Sequence, residues 1–302
     1  MFREVAAYSG VDEKLPTKGK QGIIIPKGGS TLVILEGGNG LTVQSTLPAQ
    51  VHVHEFKTKQ ERADATRNAT NPSDAIRRLD AGSWRIFSIK GDNPVGIDKV
   101  TVEAKNQANK SEATLKVIVL EKKTVKVAIR PVQVRDPDSK KFVSLGSAAD
   151  PDKLLKEMNA IWNLQANVYF EPLGRTDVAT IDGVATQAVI EATKLQNGFL
   201  QERDKDSALT FFLVYRVRDG RPVRGFTIAK DRISLIGDDR SDSTMAHEAG
   251  HFLGSLNEKG NYSSEYGHPE NDQEMLMHEY HTGTKIPYSA VPNFNYGYHS
   301  SS

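Results

Sequence analysis

The chain has 302 residues, 38% hydrophobic and 25% charged, and its 39 Lys and Arg nearly cancel 38 Asp and Glu to leave a net charge of +1. That balance supplies no field to steer the protein toward nucleic acid or acidic lipid, and no apolar run approaches the ~18 residues of a membrane span. With no cysteine, disulfides, Cys-type zinc fingers, iron–sulfur clusters and thiol catalysis are excluded, so any metal must sit on His and carboxylates.

Residues 1–20 read as an N-terminal arm, and Met1 to Tyr8 lacks the apolar core and cleavage site of a secretory signal. Short β-branched runs follow at 31–36, 41–45, 51–57, 84–90, 99–104 and 114–120. The valines of Val51-His52-Val53-His54 share one face, as do Leu115, Val117 and Val119, the period of two that a half-buried strand needs. Turn residues such as Gly37-Gly38-Asn39-Gly40 and Gly91-Asp92-Asn93-Pro94 separate the runs. Six or seven strands in about 100 residues predict an all-β immunoglobulin-like sandwich over 21–122. The polar stretch 57–80 interrupts the rhythm as a long loop or short helix. Its Lys and Arg are interleaved with Glu61, Asp64, Asp74 and Asp80, which describes a solvated face rather than a nucleic-acid stripe. His52 and His54 are read as surface histidines in preference to a metal pair.

Beyond Lys122 the pattern changes to that of an α/β (α+β) catalytic domain over 123–302. A strand at 124–134 leads to a helix capped by Asp150 and opened by Pro151, with Leu154, Met158, Ile161 and Trp162 on its core face. A strand at 167–171 and a helix at 186–199 follow, the latter carrying Val189, Ala192, Leu195 and Phe199 on one side. Extended pieces come next at 208–217, 225–229 and 232–236.

Residues 243–254 read Ser-Thr-Met-Ala-His-Glu-Ala-Gly-His-Phe-Leu-Gly, which contains His-Glu-x-x-His. On a helix, His247 and His251 lie one turn apart on one face and can share a zinc ion, while Glu248 reaches toward a metal-bound water as general base. Asp242 or Ser243 is placed to cap this helix, and Gly254 to end it.

These residues, with Gly267-His268 and Met275-Leu276-Met277-His278 downstream, make the stretch from Thr124 onward resemble the metzincin zinc peptidases. The resemblance implies one catalytic Zn²⁺, a Met-turn beneath it and a third His or Asp three residues after the glycine. Asn257 stands there instead, and an amide oxygen is a poor zinc ligand. An inserted loop resolves the departure by bringing in His268, 11 positions later. His278, His281, Glu258, Glu265 and Glu274 remain alternatives, a Glu ligand being the gluzincin arrangement. Of the two methionines, Met277 is the expected floor of the site. Tyr280 is either a hydrogen-bond donor to the oxyanion or an ordinary packed tyrosine. The strand at 225–229 is either the edge on which metzincins align an extended substrate or one more strand of the sheet.

The expected activity is therefore a zinc-dependent endopeptidase acting on a protein or peptide. A zinc hydrolase of cell-wall peptide or amide bonds and a binding module with an inactive peptidase-like domain are the competing readings. Without a signal peptide, such a protease is expected to leave by a signal-independent route as an effector or toxin, with cytoplasmic residence the alternative. Its partners would then include a secretion machine or a neutralising inhibitor protein.

Overall fold

The computed structural model describes residues 2–4, 11–12, 20–37, 39–67, 84–136, 138–144, 149–173, 177–182, 189–191, 196–257, 260–268, 273, 275–279, 283–286 and 290–296. They form a β-rich, multi-sheet α+β chain in two compact units. The first comprises Met1–Lys122, Leu164–Asn167 and Pro287–Asn295, and the second Lys123–Asn163, Val168–Ile286 and Tyr296–Ser302.

The first unit holds β1 (Phe2–Glu4), β2 (Val11–Asp12), β3 (Lys20–Pro26), β4 (Ser30–Glu36), β5 (Thr42–Ser45), β6 (Val51–Phe56), α1 (Lys59–Arg67), β7 (Trp84–Gly91), β8 (Val95–Lys105) and β9 (Ser111–Leu120). One sheet runs β1-β4-β7-β6 and the other β2-β3-β9-β8-β5. Every pairing is antiparallel except that of β3 with β9. Alternate residues of both sheets meet in one core, with Phe2, Val33, Leu35 and Phe87 from the first and Ile23, Ile25, Val102, Leu115, Val117 and Val119 from the second. The expected arm at 1–20 is thus corrected in part: Phe2 is fully buried, and two short segments of the arm join the sheets as β1 and β2. An apolar Phe beside a bare sheet edge gains more from burial and pairing than from solvation. Helix α1 within the polar stretch buries no residue. It stands on a capping box in which Thr58 Oγ1 accepts from Glu61 N at 3.1 Å and Glu61 Oε2 from Thr58 N at 2.8 Å.

The second unit is built on the 13-residue strand β10 (Lys123–Arg135). It continues through β11 (Phe142–Ser144), α2 (Pro151–Ala166), β12 (Val168–Pro172), β13 (Ala179–Asp182), β14 (Val189–Glu191), α3 (Gln196–Glu202) and β15 (Leu209–Leu213). Then come β16 (Arg216–Asp219), β17 (Arg221–Val223), β18 (Gly225–Ile228), β19 (Ile233–Ile236) and α4 (Thr244–Gly254); α5 (Val291–Tyr296) lies mostly in a segment grouped with the first unit. The main sheet runs β11-β10-β15-β19-β18, with β12 and β13 also paired to β10. The pairings β10–β12, β10–β13, β10–β15 and β15–β19 are parallel, and every residue of β15 and β19 is buried, as expected for strands covered on both faces. β18 runs antiparallel to β19 at the sheet edge.

Helix α2 begins as expected, Asp150 Oδ1 accepting from the N–H groups of Asp152 and Lys153 at 3.0 and 3.3 Å. The expected helix at 186–199 is overturned where described: β14 occupies Val189–Glu191 and only Gln196–Glu202 is helical. β14 pairs in parallel with β16, and that tertiary pairing outweighs the helical spacing of the apolar residues. The strand expected at 208–217 is two strands in different sheets, β15 and β16. Among the described residues no helix is long and apolar enough to cross a membrane.

Candidate metal centre and active site

The site is assembled on α4, which packs against β18 and β19. Ser243 holds the N-cap position without a side-chain cap bond, which corrects the capping expected of Asp242 or Ser243. Thr244 closes the preceding turn, its hydroxyl accepting from Ser241 N at 2.9 Å while Thr244 N donates to Ser241 O at 3.1 Å. The helix is anchored from behind by Trp162 of α2, whose indole N–H donates to Ala246 O at 3.0 Å.

His247 and His251 project from one face of α4, and the chain returns to bring His268 beside them. The Nε2 atoms of His247 and His251 are 3.0 Å apart, and those of His247 and His268 are 3.1 Å apart. The other ring nitrogens are committed: His247 Nδ1 donates to Leu276 O at 2.6 Å and His251 Nδ1 to Tyr266 O at 2.5 Å. A carbonyl can only accept, so both rings carry their proton on Nδ1 and turn a lone pair inward from Nε2. Two acceptors facing each other at 3.0 Å repel, and a shared cation turns them into a ligand pair. Ligand nitrogens of a tetrahedral first-row ion stand about 3.3 Å apart, close to the spacing seen. The triad fits a metal ion, and among the described residues it is the one His and carboxylate group so arranged. Burial pushes His251 down to about 4 and also lowers His268, so neutral imidazole, the ligating form, is favoured. His247 is buried, His251 partly so and His268 exposed, which leaves the centre open on one side.

Glu248 is 1% exposed and lies against β18. Thr227 of β18 donates its hydroxyl to Glu248 Oε2 at 2.6 Å, and Ser234 of β19 lies 3.0 Å from the same hydroxyl. A Cβ on Gly225 would stand 2.5 Å from Glu248 Oε1, so only glycine lets the carboxylate lie against the edge strand. Burial pushes the Glu248 carboxyl up to about 8, the Thr227 bond opposing it. Glu248, His251, His268, Gly225 and Thr227 all line a cleft of about 680 Å³, rimmed by Asp219, Arg221, Glu265 and Glu279.

Met277, the expected floor, packs against α4 at Gly250. It is 1% exposed, and a Cβ on Gly250 would come within 2.2 Å of its sulfur, so the glycine between the two helical ligands is the notch it fills. Gly254 ends α4, as expected, although without a positive φ. Its lack of a side chain admits the Tyr266 ring, which a Cβ would meet at 2.4 Å. Asn257 is not brought to the triad: its Oδ1 accepts from Asn261 N at 3.1 Å inside a tight turn. Glu265 lines the cleft and His278 is buried nearby, but neither belongs to the ligand group. Glu258, Glu274, Tyr280 and His281 lie outside the described residues. His52 pairs with Asp92 at 2.7 Å in the first unit.

Gly225 and Thr227 lie in the strand read as a possible substrate edge, but their contacts with Glu248, and the contacts of Ser255 and Tyr266, went unnoticed in the sequence. Thr227 and Gly225 alternate on a strand beside the motif, and a period-two reading from the edge strand toward Glu248 is the one signal that would have found them. Comparison with family models, with curated proteins and with solved structures returned no match.

Proposed function

We propose that this protein is a zinc-dependent endopeptidase of metzincin-like design, its first unit serving as an immunoglobulin-like accessory domain. The observation that carries this reading is the convergence of three imidazole Nε2 atoms beside a buried glutamate and a sheet edge. His247, His251 and His268 would hold the ion, since three neutral imidazoles and no thiol suit zinc with one position left for water or substrate. Zinc, when bound, supplies Lewis acidity toward a water and a peptide carbonyl. Glu248 takes the proton of the attacking water and returns it to the amine nitrogen that leaves as the C–N bond breaks. A carboxyl buried next to a cation can serve in both protonation states near neutral pH, because burial and the positive charge move its pKa in opposite directions. Thr227 holds one carboxylate oxygen and so fixes the direction of the other. β18, which among the described residues is paired only with β19 in the sheet order, would align an extended peptide across the cleft along its outer edge.

The test is Glu248→Gln, assayed on an unfolded protein substrate by mass spectrometry with zinc measured by atomic emission. Hydrolysis is expected to fall by about 10²- to 10⁴-fold with zinc staying near one per chain, because Glu248 moves a proton and is not a ligand. A variant that kept most of its activity would sink the mechanism.

A further inference from the structure

The chain leaves α4 at Gly254 and travels through an inserted loop before His268 returns to the triad. A flexible loop of that length would charge its closure entropy against metal binding, whereas a loop already held in place would not. One side chain stands where the loop meets the helix. Ser255 is 1% exposed, its hydroxyl donates to His251 O at 2.7 Å, and the same oxygen accepts from Tyr266 N at 2.9 Å. Its own carbonyl accepts from Ser263 N at 2.8 Å. Tyr266 is therefore gripped on both sides, its N–H by Ser255 and its carbonyl by His251 Nδ1. Its ring lies against the bare Cα of Gly254. Two residues further on is His268.

We infer that Ser255 is a latch that preorganises His268 as third ligand by tying Tyr266 to the end of α4; this rests on the zinc reading of the triad. The serine acts through Tyr266 and touches neither metal nor substrate, so it is a positioning residue. Alanine removes both the acceptor for Tyr266 N–H and the donor to His251 O, and the loop must then be ordered at the expense of zinc affinity. Partners that orient metal ligands typically contribute about 10- to 100-fold in affinity.

The experiment is chelator competition for zinc on full-length wild type, Ser255→Ala, His268→Ala and the double variant, with circular dichroism to establish folding. Ser255→Ala is expected to bind zinc about 10- to 100-fold more weakly than wild type. On the His268→Ala background the same substitution should cost several-fold less, because the ligand it chiefly serves is gone and only the Tyr266 O contact to His251 is left to loosen. A purely structural serine would give the same loss on both backgrounds, and that result overturns the latch. Wild-type affinity in Ser255→Ala overturns it too while leaving the zinc reading intact; a wild type that binds no zinc overturns both. Should Ser255→Ala fail to fold, Gly254→Ala displaces Tyr266 without altering the serine, and the same loss with the same dependence on His268 is required of it.

Discussion

Glu248 experiences two opposed influences, and its titration separates them. In metal-free protein, burial raises its carboxyl to about 8 from an ordinary 4.5, so the unfolded chain ionises first and the folded state loses stability as pH rises between those values. His251 acts in the opposite sense. Lowered to about 4 from 6.5, it contributes stability that is present above pH 6.5 and lost as pH falls toward 4. Between pH 6.5 and about 8 only the glutamate, of the two, still changes stability. The melting temperature of metal-free wild type is therefore expected to drop relative to Glu248→Gln across that window, and parallel curves would contradict the burial argument. Thr227→Val keeps the shape of the side chain and removes the donor to Glu248 Oε2. It is expected to lower kcat by roughly 10-fold, the worth of about 1.4 kcal/mol, with KM and zinc content unchanged. A fall in zinc content instead would mean that Thr227 supports the fold of α4 rather than the carboxylate.

At the scale of elements, α4 is held between β18 in front and the Met275–His278 segment behind, and glycines set both distances. Gly250 gives a test whose sign is informative. In an exposed helix Gly→Ala gains roughly 1 kcal/mol. Here the added methyl would come within 2.2 Å of Met277 sulfur in a site where that side chain is 1% exposed, and overpacking of this kind costs about 1–3 kcal/mol. Gly250→Ala is expected to destabilise, and pairing it with Met277→Ala should give less than the sum of the single losses, read by urea denaturation. A stabilised single variant would show that Met277 moves aside freely. The spacing of His247 and His251 was legible because a helix places i and i+4 on one face whatever surrounds it. The same local rule found Asp150 as the cap of α2. It failed at 186–199, where apolar residues at helical spacing are taken partly into β14 by a partner strand 27 residues away.

At the scale of the whole molecule, the core joining the two sheets of the first unit is drawn, among the described residues, from Phe2 to Val119. A fragment of residues 1–122 should therefore fold on its own, with a β-type circular dichroism spectrum and a cooperative melt. It should also be less stable than the same unit in the full chain, because Asn295 Nδ2 donates to Glu121 O at 3.1 Å and Asn167 Nδ2 to Leu120 O at 2.7 Å, and both donors would be missing. An unfolded spectrum would count against the unit's independence.

Length, alternation and the His-Glu-x-x-His spacing determined by themselves that this chain has a β-rich first part and a helix presenting two imidazoles beside a carboxylate, because each depends on a period of two or 3.6 residues. Only the tertiary structure decided that His268 and not Asn257 meets them, that Met277 lies in the notch at Gly250, and that Thr227 holds Glu248. Those contacts join residues 21 to 27 apart in the chain across a loop, a turn and a sheet edge, and no local periodicity records where a returning segment will land.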